Sequence, residues 1–244
     1  MRSWRDAWKV HLPEGTSGAW KIEHFEVDKK AASFGTVRAI ASGTGRSVPE
    51  GRYTGLYRGQ SLIMSDTPDE MRDHVFPYDE ARRRGGHVLI NGLGLGMVTA
   101  AILNAELQCE SCMQYPWNGE CDCTQQLEEA GLQSKPHVAG DRYAVDKVTV
   151  IEKSADVIAL VGPALTGRFG ARLEIIEADA FEFKPPKGQR FSVVWHDMWD
   201  NLCTDNLEGM GTLHRKYGHR CDWQGSWGRE ILQRYRRQER NQGW

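Results

Sequence analysis

Three short stretches hold side chains whose types and spacing could do chemistry. The first is "VVWHDMWDN", residues 193–201, which brings Trp195, His196, Asp197, Trp199, Asp200 and Asn201 together after an apolar run. A carboxylate within hydrogen-bond reach of an amine can orient it and take its proton. Asp197 and Asp200 together could hold a cationic acceptor, and Trp199 could stack on it. His196 is the alternative base, since an unperturbed imidazole titrates near neutrality. The plainer reading is a polar turn in which Asp200 or Asn201 bonds the backbone and both tryptophans belong to the core.

The second stretch is "NGLGLGM", residues 91–97, in which Gly92, Gly94 and Gly96 alternate with larger residues. Glycines at a strand-to-helix turn let the backbone approach a nucleotide closely. A dinucleotide fingerprint would need its third glycine where Met97 stands, and no Lys-Ser or Lys-Thr follows to make a phosphate loop. Taken alone, the motif fits equally a tight turn that binds nothing. Two later acids favour a nucleoside. Glu152 ends one apolar run and Asp179 follows another. At a strand's C-terminal end, a carboxylate can accept both ribose hydroxyls, and a second can accept the adenine amino group.

The third stretch, "CESCMQYPWNGECDC", supplies Cys109, Cys112, Cys121 and Cys123. Four thiolates close a tetrahedral structural zinc site and leave no open catalytic position. The C-x-C half is less usual than C-x2-C, and four free thiols are the alternative. Cys203 and Cys221 show no pairing pattern.

The elements that must position these residues alternate. "HVLIN", "KVTVIE", "LEIIEAD" and "RFSVVWHD" read as buried strands, and "MVTAAILNAEL" and "ADVIALVGPAL" as helices. Such alternation predicts an α/β fold, a Rossmann-like parallel sheet covered on both faces. Ahead of it, "AWKIEHFEV", the β-prone "FGTVRAI" and a hairpin in "RYTGLYRGQSLIMSD", pinched near Arg58-Gly59, predict a small antiparallel β unit. Asp66 or Thr67 caps a helix with Pro68 at its first position. The Trp-rich first fifteen residues read as an irregular arm. The expected organisation is an arm and small β domain over 1–75, then a nucleoside-binding domain over 76–244. A Cys-rich insertion at about 107–146 interrupts the second domain, where a helix-to-strand loop would ordinarily have about 2–6 residues. No convincing strand follows Asn201; the tail reads as a loop and a basic helix.

In order, "VLINGLGLGMV", "VTVIEKSADVI", "LEIIEADAFEF" and "FSVVWHDMWDN" resemble the nucleoside-binding motifs of class I S-adenosylmethionine-dependent transferases, and look closest to the spermidine synthase-like branch. "LYRGQSLIMSDTPDEMRDHV" resembles that branch's lead from its β domain into the core. The resemblance covers roughly residues 50–202 and implies a class I methyltransferase-type sheet. It further implies that Gly92, Gly94, Gly96, Glu152, Asp179 and Ala180 hold the cofactor, with Asp197 and Asp200 beside the acceptor. Three departures stand out. Leu95 replaces an Asp usual in the aminopropyltransferase glycine loop. Met71-Arg72-Asp73 replaces a Tyr-His-Glu element. The late strands of a methyltransferase sheet are not recognisable. The first two count against polyamine synthesis. The resemblance therefore implies a methyltransferase using S-adenosylmethionine, with an aminopropyltransferase using the decarboxylated form as alternative. A non-catalytic nucleoside-binding protein is a third reading.

Bulk properties fit an ordinary globular chain: 244 residues, 40% hydrophobic and 26% charged. A net charge of −2 supplies no global attraction to nucleic acid or an anionic membrane. Arg229, Arg234, Arg236, Arg237 and Arg240 could contact nucleic acid, but a solvated helix face or a homo-oligomer contact is the favoured reading. No apolar run is long enough to span a membrane, and "MRSWRDAWKVHLPEG" has no apolar signal core. The expected location is the cytoplasm, where six cysteines are thiols or metal ligands rather than disulfides. The partner is a small-molecule acceptor that the sequence does not identify.

Overall fold

The computed structural model describes residues 7–41, 47–104 and 145–242. Two sheets organise them. The first is antiparallel, with strands β1 (Gly15–Ser17), β2 (Trp20–Val27), β3 (Gly51–Arg58) and β4 (Ser61–Ser65) in the order β1-β2-β3-β4. The hairpin between β3 and β4 turns at Gly59, where φ is +60°, as the glycine after Arg58 predicts.

Helix α1 (Lys29–Ala41) occupies the segment that includes "FGTVRAI", for which a strand is expected. The local hydrogen bonds explain the difference. Asp28 Oδ1 accepts from the Ala31 N–H at 2.7 Å, a side-chain cap on the first turn. The Ser33 and Thr36 hydroxyls donate back to the carbonyls of Lys29 and Ala32. A capped start outweighs the β preference of Thr36, Val37 and Ile40, whose penalty in a helix is only a few tenths of a kcal/mol, at most about 0.7, per residue.

Two short helices lead into the second sheet, α2 (Pro68–Asp73) and α3 (Val75–Arg84), with Thr67 as the α2 cap residue and Pro68 inside its first turn. His74 is the joint between them and belongs to neither.

The second sheet is wholly parallel: β5 (Gly86–Asn91), β6 (Val145–Glu152), β7 (Leu173–Glu177), β8 (Phe191–His196) and β9 (Cys221–Ser226), ordered β7-β6-β5-β8-β9. It is the expected α/β Rossmann-like sheet. Helix α4 (Met97–Leu103) follows β5 and α5 (Ala155–Phe169) follows β6. Helix α6 (Asn206–Tyr217) links β8 to β9, and α7 (Arg229–Gln242) ends the described chain.

Burial alternates along the strands between two apolar clusters. Val88, Ile90, Val148, Val150 and Val193 face one, and Leu89, Ile151 and Val194 face the other, with Leu213 and Tyr217 of α6. Both faces are therefore covered. Fully burying each such side chain contributes about 1.5–3 kcal/mol. The first cluster also takes in Ile22 and Leu56 of the antiparallel sheet, Met71 of α2, and Trp8. The expected irregular arm is thus packed core from Ala7 onward. Trp8 meets Tyr78 at 5.5 Å, and Asn104 donates to the Ala7 carbonyl at 2.9 Å.

Strand β9 corrects the expectation of no strand after Asn201. "CDWQGS" holds no β-branched residue, yet it pairs in parallel with β8 from Phe191 to His196. Trp223 packs almost parallel to Trp195, at 6.3 Å and 11°. Helix α6 was also not expected. Its buried side, Leu207, Met210, Leu213 and Tyr217, has helical spacing, but Gly209 and Gly211 break the pattern in the sequence.

No helix among the described residues is long and apolar enough to cross a membrane.

Candidate active site

In the order β7-β6-β5-β8-β9, the chain runs one way from β5 to β6 and β7, and the other way to β8 and β9. Crevices form at such a switch point, beyond the strands' carboxyl ends. A cavity of about 580 Å³ opens there, within the usual range for small-molecule sites. Its floor is the loop after β5, the end of β6 and the segment after β8.

Gly92 and Gly94 line this cavity. Gly92 has φ +105° and its N–H donates to the Ile151 carbonyl at 2.8 Å. A Cβ on Gly92 would stand 1.8 Å from the Asp197 carbonyl oxygen, and one on Gly94 would stand 2.6 Å from the Met64 sulfur. Gly96 opens α4 against Leu165, outside the cavity lining. Leu95 is buried, and its N–H donates to the Met64 sulfur at 3.3 Å. The antiparallel sheet therefore touches the glycine loop directly.

Glu152 ends β6 in the lining. Its Oε2 accepts from the Leu93 N–H and its Oε1 from the Ser154 N–H, both at 2.8 Å. The carboxylate is fixed by backbone on both oxygens, with lone pairs remaining for further donors. Ser154 also caps α5, accepting from the Val157 N–H. Ala180 lines the cavity. Asp179 lies beside it, tied by Oδ2 to Lys153 Nζ at 2.7 Å and by Oδ1 to the Phe181 N–H at 2.8 Å. Lys153 holds the Asp179 carboxyl below the usual carboxylate range.

Asp197 follows β8, its N–H donating to the Asn91 carbonyl at 2.8 Å. It lines the cavity with only 10% of its side chain exposed. Burial pushes its carboxyl above the usual range; His74 opposes the rise and Asp73 adds to it. His74 Nδ1 lies 3.6 Å from Asp197 Oδ2, within ion-pair range and beyond a hydrogen bond. The imidazole is 1% exposed, neither ring nitrogen has a hydrogen-bond partner, and its ring meets Trp195 edge-on at 6.2 Å. A buried polar atom without a partner costs about 1–3 kcal/mol.

Asp200 lines the same cavity and pairs with Arg58 Nη1 of β3 at 2.8 Å. The Arg58 guanidinium lies over the Trp20 ring at 5.7 Å. Trp199, Asn201 and Trp227 complete that wall.

His196 is elsewhere. It is fully buried and does not line the cavity. Asn91 Nδ2 lies 2.7 Å from its Nδ1, and the rings of His214 and Tyr217 pack on it at 5.4 and 5.6 Å. Burial, with His214 adding, lowers its pKa to about 3. The neutral imidazole is a core side chain behind the strand end, because alternation along β8 turns it away from the face that Asp197 meets.

Cys109, Cys112, Cys121 and Cys123 lie outside the described residues. Among those described, no cluster of three or more His, Cys, Asp or Glu side chains could hold a metal ion. On α7, Arg234, Arg236, Arg237 and Arg240 are exposed and Arg229 is half-buried.

The cavity residues beyond the sequence-based candidates include Trp20, Arg58, Met64, His74 and Trp227. Three of them, Arg58, Met64 and His74, fall in "LYRGQSLIMSDTPDEMRDHV", the stretch that leads from the β unit into the core. No spacing in the sequence sets them apart; the antiparallel sheet brings them over the glycine loop.

No family model matches the chain, and no curated protein matches it. Solved structures do. The 23S rRNA methyltransferase ErmE is similar over 65% of this chain and 45% of its own, at 13% identity and a TM-score of 0.39. The CcbJ methyltransferase from Streptomyces caelestis is similar over 62% of this chain and 44% of its own, at 13% identity and a TM-score of 0.36. The DhpI–SAM–HEP complex is similar over 61% of this chain and 49% of its own, at 19% identity and a TM-score of 0.34. The chain spans about half the length of the solved structures it matches.

Proposed function

We propose that this chain is an S-adenosylmethionine-dependent methyltransferase acting on a small nucleophilic acceptor. One observation carries the reading. The glycine loop, the fixed carboxylate of Glu152 and the buried carboxylate of Asp197 converge on one cavity at the switch point of the parallel sheet.

The residues present fit an adenosyl sulfonium. Both Glu152 oxygens are held by backbone N–H groups, so the carboxylate is already oriented for two ribose hydroxyls. The Gly92 and Gly94 backbone lies open to the cavity, and Ala180 leaves room for a base. Asp179 would meet an adenine amino group after releasing Lys153, an exposed partner. When bound, the sulfonium would supply an electrophilic methyl carbon.

On the acceptor side, Asp197 orients the nucleophile and takes its proton. Trp199 and Trp227 line the cavity and supply aromatic rings for a cationic or planar acceptor, while the Trp20 ring already carries the Arg58 guanidinium. His196 has no part in this reading, being buried outside the lining. Buried, apolar Leu95 puts no carboxylate on the glycine loop to hold an aminopropyl ammonium, which favours methyl over aminopropyl transfer.

Calorimetric titration tests the reading. S-adenosylmethionine and S-adenosylhomocysteine should bind and NAD should not. Lack of binding by every adenosyl sulfonium would overturn it. Tighter binding of decarboxylated S-adenosylmethionine, with product formed from putrescine, would replace it by aminopropyl transfer.

A further inference from the structure

We propose that His74 and Asp197 form one proton-sharing pair, which serves as the base of the cavity. The role as base rests on the transferase reading above; the pairing itself rests on geometry alone.

Asp197 is the member that an acceptor meets, since its side chain keeps some exposure in the lining. His74 stands behind it, almost fully buried, with its Nδ1 3.6 Å from the carboxylate. No hydrogen bond satisfies either imidazole nitrogen. A buried polar side chain is ordinarily bonded; the electrostatic partner of these ring nitrogens is the Asp197 carboxylate. Its backbone is fixed at the joint of α2 and α3, where its N–H donates to the Met71 carbonyl at 3.2 Å. The edge contact with Trp195 holds the ring plane. The ring makes no side-chain cap bond to α3.

The proton balance is simple. The form of the pair that acts as base is carboxylate with neutral imidazole, which carries a net charge of −1. The acceptor's nitrogen or oxygen gives up its proton to a carboxylate oxygen of Asp197. The pair then holds one proton and no net charge, and the proton rests on either Asp197 or His74. A lone buried carboxylate would have one place for that proton, and the pair has two. Catalytic hydrogen bonds are commonly long before a substrate is bound, and 3.6 Å fits that state. The other charged groups around the pair are Asp73 and Glu70 on α2 and the Arg58–Asp200 ion pair across the cavity.

NMR titration of the Asp197 carboxyl, carbon-detected and without added ligand, tests the pair in wild-type protein and in His74→Gln. The imidazole opposes the rise that burial causes, so the carboxyl should titrate at higher pH in the variant. A cooperative thermal melt of the variant shows that the sample is folded. A carboxyl midpoint that does not rise overturns the proposal. Calorimetric titration of the same samples with S-adenosylmethionine reports the transferase reading separately. Loss of binding in wild-type protein strikes that reading and leaves the measured pairing untouched.

Discussion

The backbone of Gly92 lies against the backbone carbonyl of Asp197, so closely that a Cβ on Gly92 would stand 1.8 Å from its oxygen. The first turn of the nucleoside side and the proposed base are thus parts of one close contact. Gly92→Ala must move backbone and also force a side chain onto φ +105°. It should destabilise the fold by about 3 kcal/mol or more, the range of backbone strain combined with overpacking. Gly188→Ala is the control. That glycine also has positive φ, but nothing lies within 4 Å of its Cβ position, so the cost should stay near 1–2 kcal/mol. Urea unfolding of both variants compares them, and equal losses would refute the contact.

Asp197→Asn should slow methyl transfer sharply and stabilise the protein at neutral pH. Burial raises the folded-state pKa of Asp197. A group with a raised pKa stabilises fully below its unfolded value, near 3.9, and loses that contribution as pH rises through the folded value. At pH 7 the raised pKa is therefore a cost that a neutral amide of the same shape lacks. Melting temperatures should be higher in the variant at pH 7 and converge near pH 4. Turnover should fall by roughly 10²–10⁴, the usual worth of a general base. A variant that melts lower at pH 7 would contradict the burial argument.

Two buried imidazoles set an acid limit. His196 and His214 have pKa values lowered to about 3 and about 4, in each case chiefly by burial. Their stabilising contribution is present above the unfolded value near 6.5 and is lost as pH falls through 4 and then 3. Each proton that the unfolded chain binds in excess steepens the fall by about 1.4 kcal/mol per pH unit. His196→Gln should flatten the stability profile between pH 6 and 4 by close to one proton. Urea midpoints across that range measure it, and parallel profiles would show that His196 titrates normally.

Glu152→Ala removes an acceptor from both the Leu93 and Ser154 N–H groups. Hydrogen bonds to a charged group are worth about 1.5–3 kcal/mol each. Affinity for S-adenosylmethionine should therefore fall at least tenfold, and more if both ribose hydroxyls are lost. A variant that binds as wild type would show that the ribose sits elsewhere.

Arg58→Met should leave stability within about 0.5 kcal/mol, because the Arg58–Asp200 pair is substantially exposed and such pairs contribute little. Its effect should fall on the KM for the acceptor, since the guanidinium neutralises a carboxylate in the lining. A large loss of stability would mean that the pair ties the two sheets together.

The parallel strands were legible because burial on both faces makes each a nearly continuous apolar run, as in Val148–Ile151 and Val193–Trp195. Strand β9 was not, because an edge strand can be held by ladder bonds and one tryptophan stack. Helix α1 is not legible, because its β-prone residues outweigh Asp28 in any window, although Asp28 decides how the helix starts. The acids at strand ends were legible because chain direction in a parallel sheet sends every strand's end to the same edge. Their environments were not. That Asp197 is buried beside His74, and that His196 next to it is core, follows from packing between segments far apart in the chain. His74 belongs to no spacing at all.

Trp8, Ile22 and Leu56 share an apolar cluster with Val88, Val150 and Val193. The expected boundary near residue 75 therefore divides the sequence but does not divide the core. Helices α3, α4 and α5 cover that face of the parallel sheet on their own, but removing the first 75 residues would expose the apolar side chains that cluster with Trp8, Ile22 and Leu56, and the antiparallel sheet alone would lose α5, against which β1 and β2 pack. Cooperativity follows from that sharing. Both sheets should melt in a single calorimetric transition, and local opening of the antiparallel sheet should be as rare as global unfolding.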